Sequence, residues 1–150
     1  MNDAAAASDL ELHLERLIPA PPERVFAMWS EPELLAKWLA PGAMAVDSCA
    51  VDANPGGFWR VTMRHPDGKL ITVSGVFRKV EPPLRLIFTW AWLDLMNKSH
   101  ETEVTVTLTA APGGTRLVLY QREFESKESR DRHEHGWGGC FDKLAAAAAK

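Results

Sequence analysis

The sequence predicts an α+β domain in which a curved antiparallel sheet closes around a long C-terminal helix. Three observations lead there. After Pro41 the chain alternates apolar and polar side chains with period two for roughly eighty residues, the mark of strands with one buried face. In the last stretch His133, Trp137, Cys140, Phe141 and Leu144 recur at intervals of three and four, the stripe of a helix lying on a sheet. Between a first strand-like run and the long alternating region sit two short helical patterns.

Taken in order, residues 1–8 are alanine-rich and read as a disordered tail ahead of one domain over residues 9–150. From Leu10, Leu12 and Leu14 alternate with Glu11, His13 and Glu15, so His13 faces solvent and is a poor catalytic base. Pro21-Pro22 opens a helix with Val25, Phe26 and Trp29 as its apolar side, since proline suits the first helical turn. Ser30 and Glu33 have capping-box spacing for a second helix, which buries Leu34, Leu35, Trp38 and Leu39 and stops at Pro41-Gly42.

A weak strand over residues 43–53 then reaches the turn Asn54-Pro55-Gly56-Gly57. Trp59, Val61 and Met63 form the apolar set of the next strand, and Pro66-Asp67-Gly68 suits a three-residue hairpin loop. That loop fixes a register: Met63 opposes Ile71, Val61 opposes Val73 and Trp59 opposes Gly75, so that an indole covers a strand glycine. After Pro82-Pro83, Leu86, Phe88, Trp90 and Trp92 share a face, and a loop runs through Asn97-Lys98-Ser99. Val104, Val106 and Leu108 lead to the turn Ala111-Pro112-Gly113-Gly114, and Leu117, Leu119 and Gln121 return. The terminal helix carries Gly136, Gly138 and Gly139, each costing about 1 kcal/mol against alanine. Gly138 and Gly139 are therefore where packing against the sheet is expected to be withheld.

Composition narrows function by exclusion. With 150 residues, 46% of them hydrophobic, the chain suits a single globular domain that can tolerate a cavity. The net charge of −3 and the lack of a Lys/Arg run argue against a phosphate-backbone binder, so nucleic acid is not an expected partner. No apolar stretch is long enough to span a membrane and no signal-peptide pattern opens the chain, so a soluble cytoplasmic protein is expected. Cys49 and Cys140 lie far apart without a CxxC pattern, which reads as two reduced thiols, although a bridge between them stays open.

Strand parity collects an almost wholly apolar inward face. Any one of these residues reads first as core, but six tryptophans in one small domain are a heavy allotment, and each buried indole N–H wants a partner. An aromatic-lined pocket with few polar groups is the usual form of a small-molecule site. The expected walls are Trp59, Met63, Phe77, Phe88, Trp90, Trp137 and Phe141, with Gln121, Glu123 or His133 as a polar end and Arg16 continuing the inward parity of the first strand.

His133 and His135 stand two apart on a helix and point away from each other, so no metal is expected. Cys140, a helical cysteine without a neighbouring base, reads as a small hydrophobe. No nucleophile–base order, carboxylate pair or dinucleotide fingerprint is present, so no catalytic residue and no cofactor are assigned.

The stretch Ala20-Pro21-Pro22-Glu23-Arg24-Val25-Phe26 through Trp38-Leu39-Ala40-Pro41 resembles the opening of the SRPBCC (START/Bet v 1-like) superfamily, and within it the family named for the activator of Hsp90 ATPase. Pro55-Gly56-Gly57-Phe58-Trp59, Pro66-Asp67-Gly68, Glu81-Pro82-Pro83-Leu84 and His133-Glu134-His135-Gly136-Trp137 match in the same order, over about residues 10–146. This resemblance implies the helix-grip (Bet v 1-like) fold: a seven-stranded antiparallel sheet curved around the C-terminal helix, two short helices between the first two strands, and a cavity between sheet and helix. It departs at Gly138-Gly139-Cys140, where the family usually carries larger residues, and that implies a roomier cavity or a locally irregular helix. For function it implies binding of a hydrophobic or aromatic small molecule. The alternatives are co-chaperone-like stimulation of an Hsp90-type ATPase, or cyclase/aromatase-like catalysis, and the expected assembly is a monomer or a homodimer paired through the strand near residues 43–53.

Overall fold

The structure, a computed structural model, describes residues 7–93 and 100–150. The loop at Asn97-Lys98-Ser99 and most of the expected tail lie outside the described residues; the described chain opens with a 3-10 turn at Ala7–Leu10. Then follow β1 (Leu12–Ile18), α1 (Pro22–Ser30), α2 (Pro32–Leu35), β2 (Ala45–Val51), β3 (Phe58–Arg64), β4 (Leu70–Glu81), β5 (Arg85–Leu93), β6 (Thr102–Ala111), β7 (Gly114–Arg122) and α3 (Lys127–Ala148). All strand pairs are antiparallel, in the order β1-β7-β6-β5-β4-β3-β2. The inner face of the sheet wraps α3, which is the helix-grip architecture.

The β3–β4 hairpin has the register that its loop dictates, with Met63 opposite Ile71, Val61 opposite Val73 and Trp59 opposite Gly75. Gly75 has two reasons to be glycine. A Cβ there would overlap the Thr89 carbonyl oxygen and lie 2.7 Å from the Trp59 indole nitrogen. That carbonyl accepts the Trp59 Nε1–H at 3.2 Å, while the Thr89 hydroxyl accepts the Val76 amide at 2.8 Å. Irregular pairing between Val46 and Ser48 in β2 and between Phe77 and Lys79 in β4 marks bulges, which bend strands.

The second helix departs from its sequence signals in both cap and length, ending at Leu35 with turns rather than helix leading on to Pro41-Gly42. Ser30 does not cap α2: it ends α1, and its hydroxyl donates back to the Phe26 carbonyl at 3.0 Å. Glu31 holds the cap position without a side-chain bond, and Pro32 sets the first turn of a helix only four residues long. Leu35, Trp38 and Leu39 are buried as expected, whereas Leu34 is half-buried. By contrast α3 runs unbroken for 22 residues through all three glycines, capped by the Ser126 hydroxyl accepting the Ser129 amide at 3.1 Å. The locally irregular helix is therefore not found.

Two long-range anchors, invisible to periodicity, fix α3. Arg24 of α1 reaches its C-terminus, donating from Nε to the Ala148 carbonyl at 2.9 Å and from Nη2 to the carbonyls of Ala147 and Lys150 at 3.3 and 3.1 Å. At this end the regular helical donors run out, the Ala147 carbonyl keeping only a long 3.5 Å bond from the Lys150 amide and the cap contact from Ala149, and a cation suits the negative end of the dipole. Arg24→Ala is expected to destabilise the protein by about 1 kcal/mol, read from urea midpoints, with faster amide exchange confined to the last turn. Lys143 grips the loop after α2, donating to the carbonyls of Ala40 and Met44 at 2.6 and 3.0 Å.

On the outer face Glu103 looks polar and exposed from its alternation, yet its residue surface is only 9% accessible. Arg78 and Arg122 fold over it with ion pairs of 2.6 and 2.7 Å. Burial opposes its ionisation, but the hydrogen bonds from Arg122 and Arg78 outweigh that and hold the carboxyl below the usual range.

Candidate functional site

Parity along the strands names the residues that face inward, and the structure divides them between two ends of the barrel-like groove. At the closed end the aromatic rings pack on one another. Trp59, Phe77 and Phe88 meet edge to face, with centroids 5.6 Å apart for Trp59–Phe88 and 5.9 Å for Phe77–Phe88. Phe141 packs on Trp29, Trp38 and Trp137. The void left among Trp29, Leu35, Trp59, Phe77 and Phe88, which shares Leu39 and Trp90 with the larger cavity at the open end, is about 20 Å³, room for no more than a water. Trp59, Phe77, Phe88 and Phe141 are thus core, not walls of a ligand-sized cavity.

At the open end a cavity of about 470 Å³ lies between the sheet and α3. Four of the expected residues line it: Met63, Trp90, His133 and Trp137. The rest of its apolar wall lies outside the expected site set, although strand parity and the helical stripe place Ile71, Trp92 and Cys140 on inward faces. Leu39, Pro41 and Met44 come from the loop after α2, Ile71 from β4, and Trp92 from β5. From α3 come Gly136 and Cys140, while the polar groups Thr102, Ser129 and, towards the mouth, His100, Glu125 and Arg132 complete the lining.

The glycine that opens this space is Gly136, not the pair expected. A Cβ on Gly136 would meet only Pro41, at 3.9 Å. Gly138 is absent from the lining and a Cβ there would touch nothing within 4 Å, while Gly139 lets the loop approach, a Cβ there lying 3.4 Å from both Gly42 N and Pro41 Cβ.

Gln121 is fully buried behind the wall rather than in it. Its Oε1 accepts the Trp137 indole N–H at 2.8 Å and its Nε2 donates to the Thr102 hydroxyl at 2.8 Å, which in turn donates to the Trp90 carbonyl at 3.3 Å. This chain fixes the ring that forms the cavity's α3 side. The remaining indole donors are less uniform than expected: Trp38 donates to the Met28 carbonyl at 2.8 Å, whereas the buried Nε1 atoms of Trp29 and Trp90 have no partner among the described residues.

Glu123 is the clearest departure. Strand parity carries it inward, but the residue takes a positive φ of 74°, β7 ends at Arg122, and the chain turns over so that Phe124 enters the core in its place. Glu123 is exposed and offers its carbonyl to His100 Nε2 at 2.6 Å. Arg16, also of inward parity, is half-buried and pairs with Asp142 of α3 at 2.8 Å.

His133 is held in one tautomer. Its Nδ1–H donates to the Ser129 carbonyl at 2.7 Å, and its Nε2 accepts the Trp92 indole N–H at 3.0 Å. Burial pushes its pKa below the ordinary imidazole value; the Ser129 carbonyl and Glu125 work the other way and Arg132 reinforces the fall. A depressed histidine contributes stability that is whole above about pH 6.5, its unfolded value, and is lost as pH falls towards and through the folded one. Between pH 7 and pH 5 the urea midpoint of His133→Gln is accordingly expected to fall less than that of the wild-type protein; parallel curves would contradict this. Both cysteines are free. Burial pushes the Cys140 thiol up to about 12, so the sulfur facing the cavity is a neutral, apolar surface.

The described residues contain no group of three or more His, Cys, Asp and Glu able to hold a metal ion, and no described helix is long and apolar enough to cross a membrane. The geometry is that of a half-open apolar cup with a polar rim.

Comparison with known proteins agrees with this architecture. No curated protein sequence matches the chain. Among solved structures, an AHSA1 protein from Silicibacter pomeroyi is 35% identical, with a TM-score of 0.83 over 93% of this chain and 97% of its own. A protein from Nitrosomonas europaea is 28% identical, with a TM-score of 0.79 over 93% and 94% of the two chains. One from Chromobacterium violaceum is 25% identical, with a TM-score of 0.85 over 94% and 98%. The model of the family described as activator of Hsp90 ATPase homolog 1-like protein matches residues 19–149, nearly the whole domain, and the chain belongs to that family.

Proposed function

We propose that the protein binds a hydrophobic or aromatic small molecule in the cavity between the sheet and α3. The observation that carries this reading is the cavity itself: about 470 Å³, within the size range of small-molecule sites, walled by Trp90, Trp92, Trp137, Met44 and Met63. Met44 and Met63 supply flexible, polarisable surface that adapts to a ligand's shape. Supporting it further, Gly136 withholds a side chain at the cavity wall despite the cost of glycine in a helix.

The test is tryptophan fluorescence and native mass spectrometry of the purified protein with a panel of fatty acids, flavonoids and polycyclic aromatics. Saturable changes with at least one class are expected. No saturable change with any of them, together with an empty mass spectrum after expression, would remove the reading.

A second reading, co-chaperone-like stimulation of an Hsp90-type ATPase, is favoured by the family match alone. Raised ATP turnover by such a chaperone on adding the purified domain would promote it. Cyclase/aromatase-like catalysis has less support, because the Cys140 thiol is protonated and both nitrogens of His133 are engaged.

A further inference from the structure

The cavity is polarised along α3. Its deep part is apolar, with Met44, Met63 and Cys140, whereas Ser129 and Arg132 line it at the helix N-terminal end. Ser129 is 6% exposed, and its hydroxyl makes no hydrogen bond with any described residue, although its amide is capped by Ser126 and its carbonyl by His133. The residue is buried yet its unpartnered hydroxyl is not sealed off: it opens on the cavity, where a ligand group can supply the partner that a polar atom in such surroundings ordinarily finds. Arg132, one turn on, is exposed at the same end and forms no ion pair or hydrogen bond with a described residue. Positions three apart on a helix lie side by side, so hydroxyl and guanidinium can address one group, and the positive end of the helix dipole favours an anion there.

Resting on the binding reading above, we propose that the ligand is an amphipathic carboxylate, its apolar body in the deep part of the cavity and its carboxylate between Ser129 Oγ and the Arg132 guanidinium. Glu125 lies on the same rim and opposes an anion. It therefore supplies the rival outcome, a cationic ligand.

Three probes of one shape separate these: 2-naphthylacetate, the neutral 2-naphthylacetamide, and the cationic 2-(2-naphthyl)ethylamine, with decanoate and 1-decanol as an aliphatic pair, each titrated calorimetrically into the full chain. In 50 mM NaCl each carboxylate is expected to bind roughly tenfold tighter than its neutral counterpart, the scale of a charge-assisted hydrogen bond at a partly wet site. Arg132→Gln should bring that preference to within about twofold without changing the affinity for the amide, and Ser129→Ala should weaken carboxylate binding about fivefold. Glu125→Gln should strengthen it, and 500 mM NaCl should shrink the preference in the wild-type protein. Equal or tighter binding of the amide or the amine, or a preference that survives in both Arg132→Gln and Ser129→Ala, overturns the carboxylate seat while leaving the cavity as a binding site. If no probe of either pair binds the folded protein, the binding reading falls and takes this one with it.

Discussion

Gly136→Leu removes small-molecule binding and leaves the protein folded. The position lines the cavity, and only Pro41 Cγ lies near the direction of a new side chain, at 3.9 Å, so leucine has room to enter the cavity and little backbone to displace. Replacing glycine inside a helix also gains about 1 kcal/mol of propensity, which offsets part of any strain. The expected result is a cooperative urea transition near that of the wild-type protein, with affinity for any cavity ligand down at least a hundredfold. Gly138→Leu is the control, since Gly138 does not line the cavity and should leave affinity unchanged. Loss of binding in Gly138→Leu, with retention in Gly136→Leu, would show that the wrong face of α3 has been assigned.

Trp137→Ala is expected to be the most damaging single substitution at the site. Trp137 is 3% exposed and its ring packs on Trp90 at 4.9 Å and on Trp29 at 5.8 Å, so truncation removes a large buried ring. The usual cost of such a deletion is about 3–5 kcal/mol. Gln121, fully buried, simultaneously loses the donor to its Oε1, although water entering the enlarged cavity can replace it. Ligand affinity should fall by one to a few kcal/mol through lost aromatic contact. Trp137→Phe separates the two effects: it keeps most of the ring and loses the hydrogen bond, so its cost in urea is expected to be about 1–3 kcal/mol. Equal losses in the two variants would mean that the bond to Gln121, rather than ring packing, dominates.

The fold was legible in the sequence where local chemistry dictates geometry. A three-residue loop set the β3–β4 register, and alternation then placed Trp59, Val61 and Met63 inside together with Val73 and Phe77. The reading failed where one residue changes the path of the chain. Glu123 at a φ of 74° turns Phe124 inward, and nothing in the spacing announces a left-handed glutamate. The site was legible only by halves, because parity says which face a side chain takes but not which end of the sheet is left open. Here Lys143 draws the loop carrying Pro41 and Met44 alongside α3, leaving the space open beside Met63 and Ile71 while Trp59, Phe77 and Phe88 close on themselves. That depends on a contact between residues about a hundred positions apart. The Trp92–His133 bond is likewise tertiary, although aromatic parity on β5 and the helical stripe on α3 had brought both residues to the inner face.

The central claim, that the open-end cavity is where a small molecule binds, is tested most directly by the methionine methyl groups. Met44 and Met63 line the cavity, whereas Met28 is fully buried in α1 away from it. In a titration followed by the ¹³C–¹H methyl resonances of labelled methionine, with decanoate, 2-naphthylacetamide and a flavonoid as ligands, the account predicts saturable shifts at Met44 and Met63 and none at Met28. Saturable binding that leaves Met44 and Met63 unmoved, or no shift with any of the three, would contradict it.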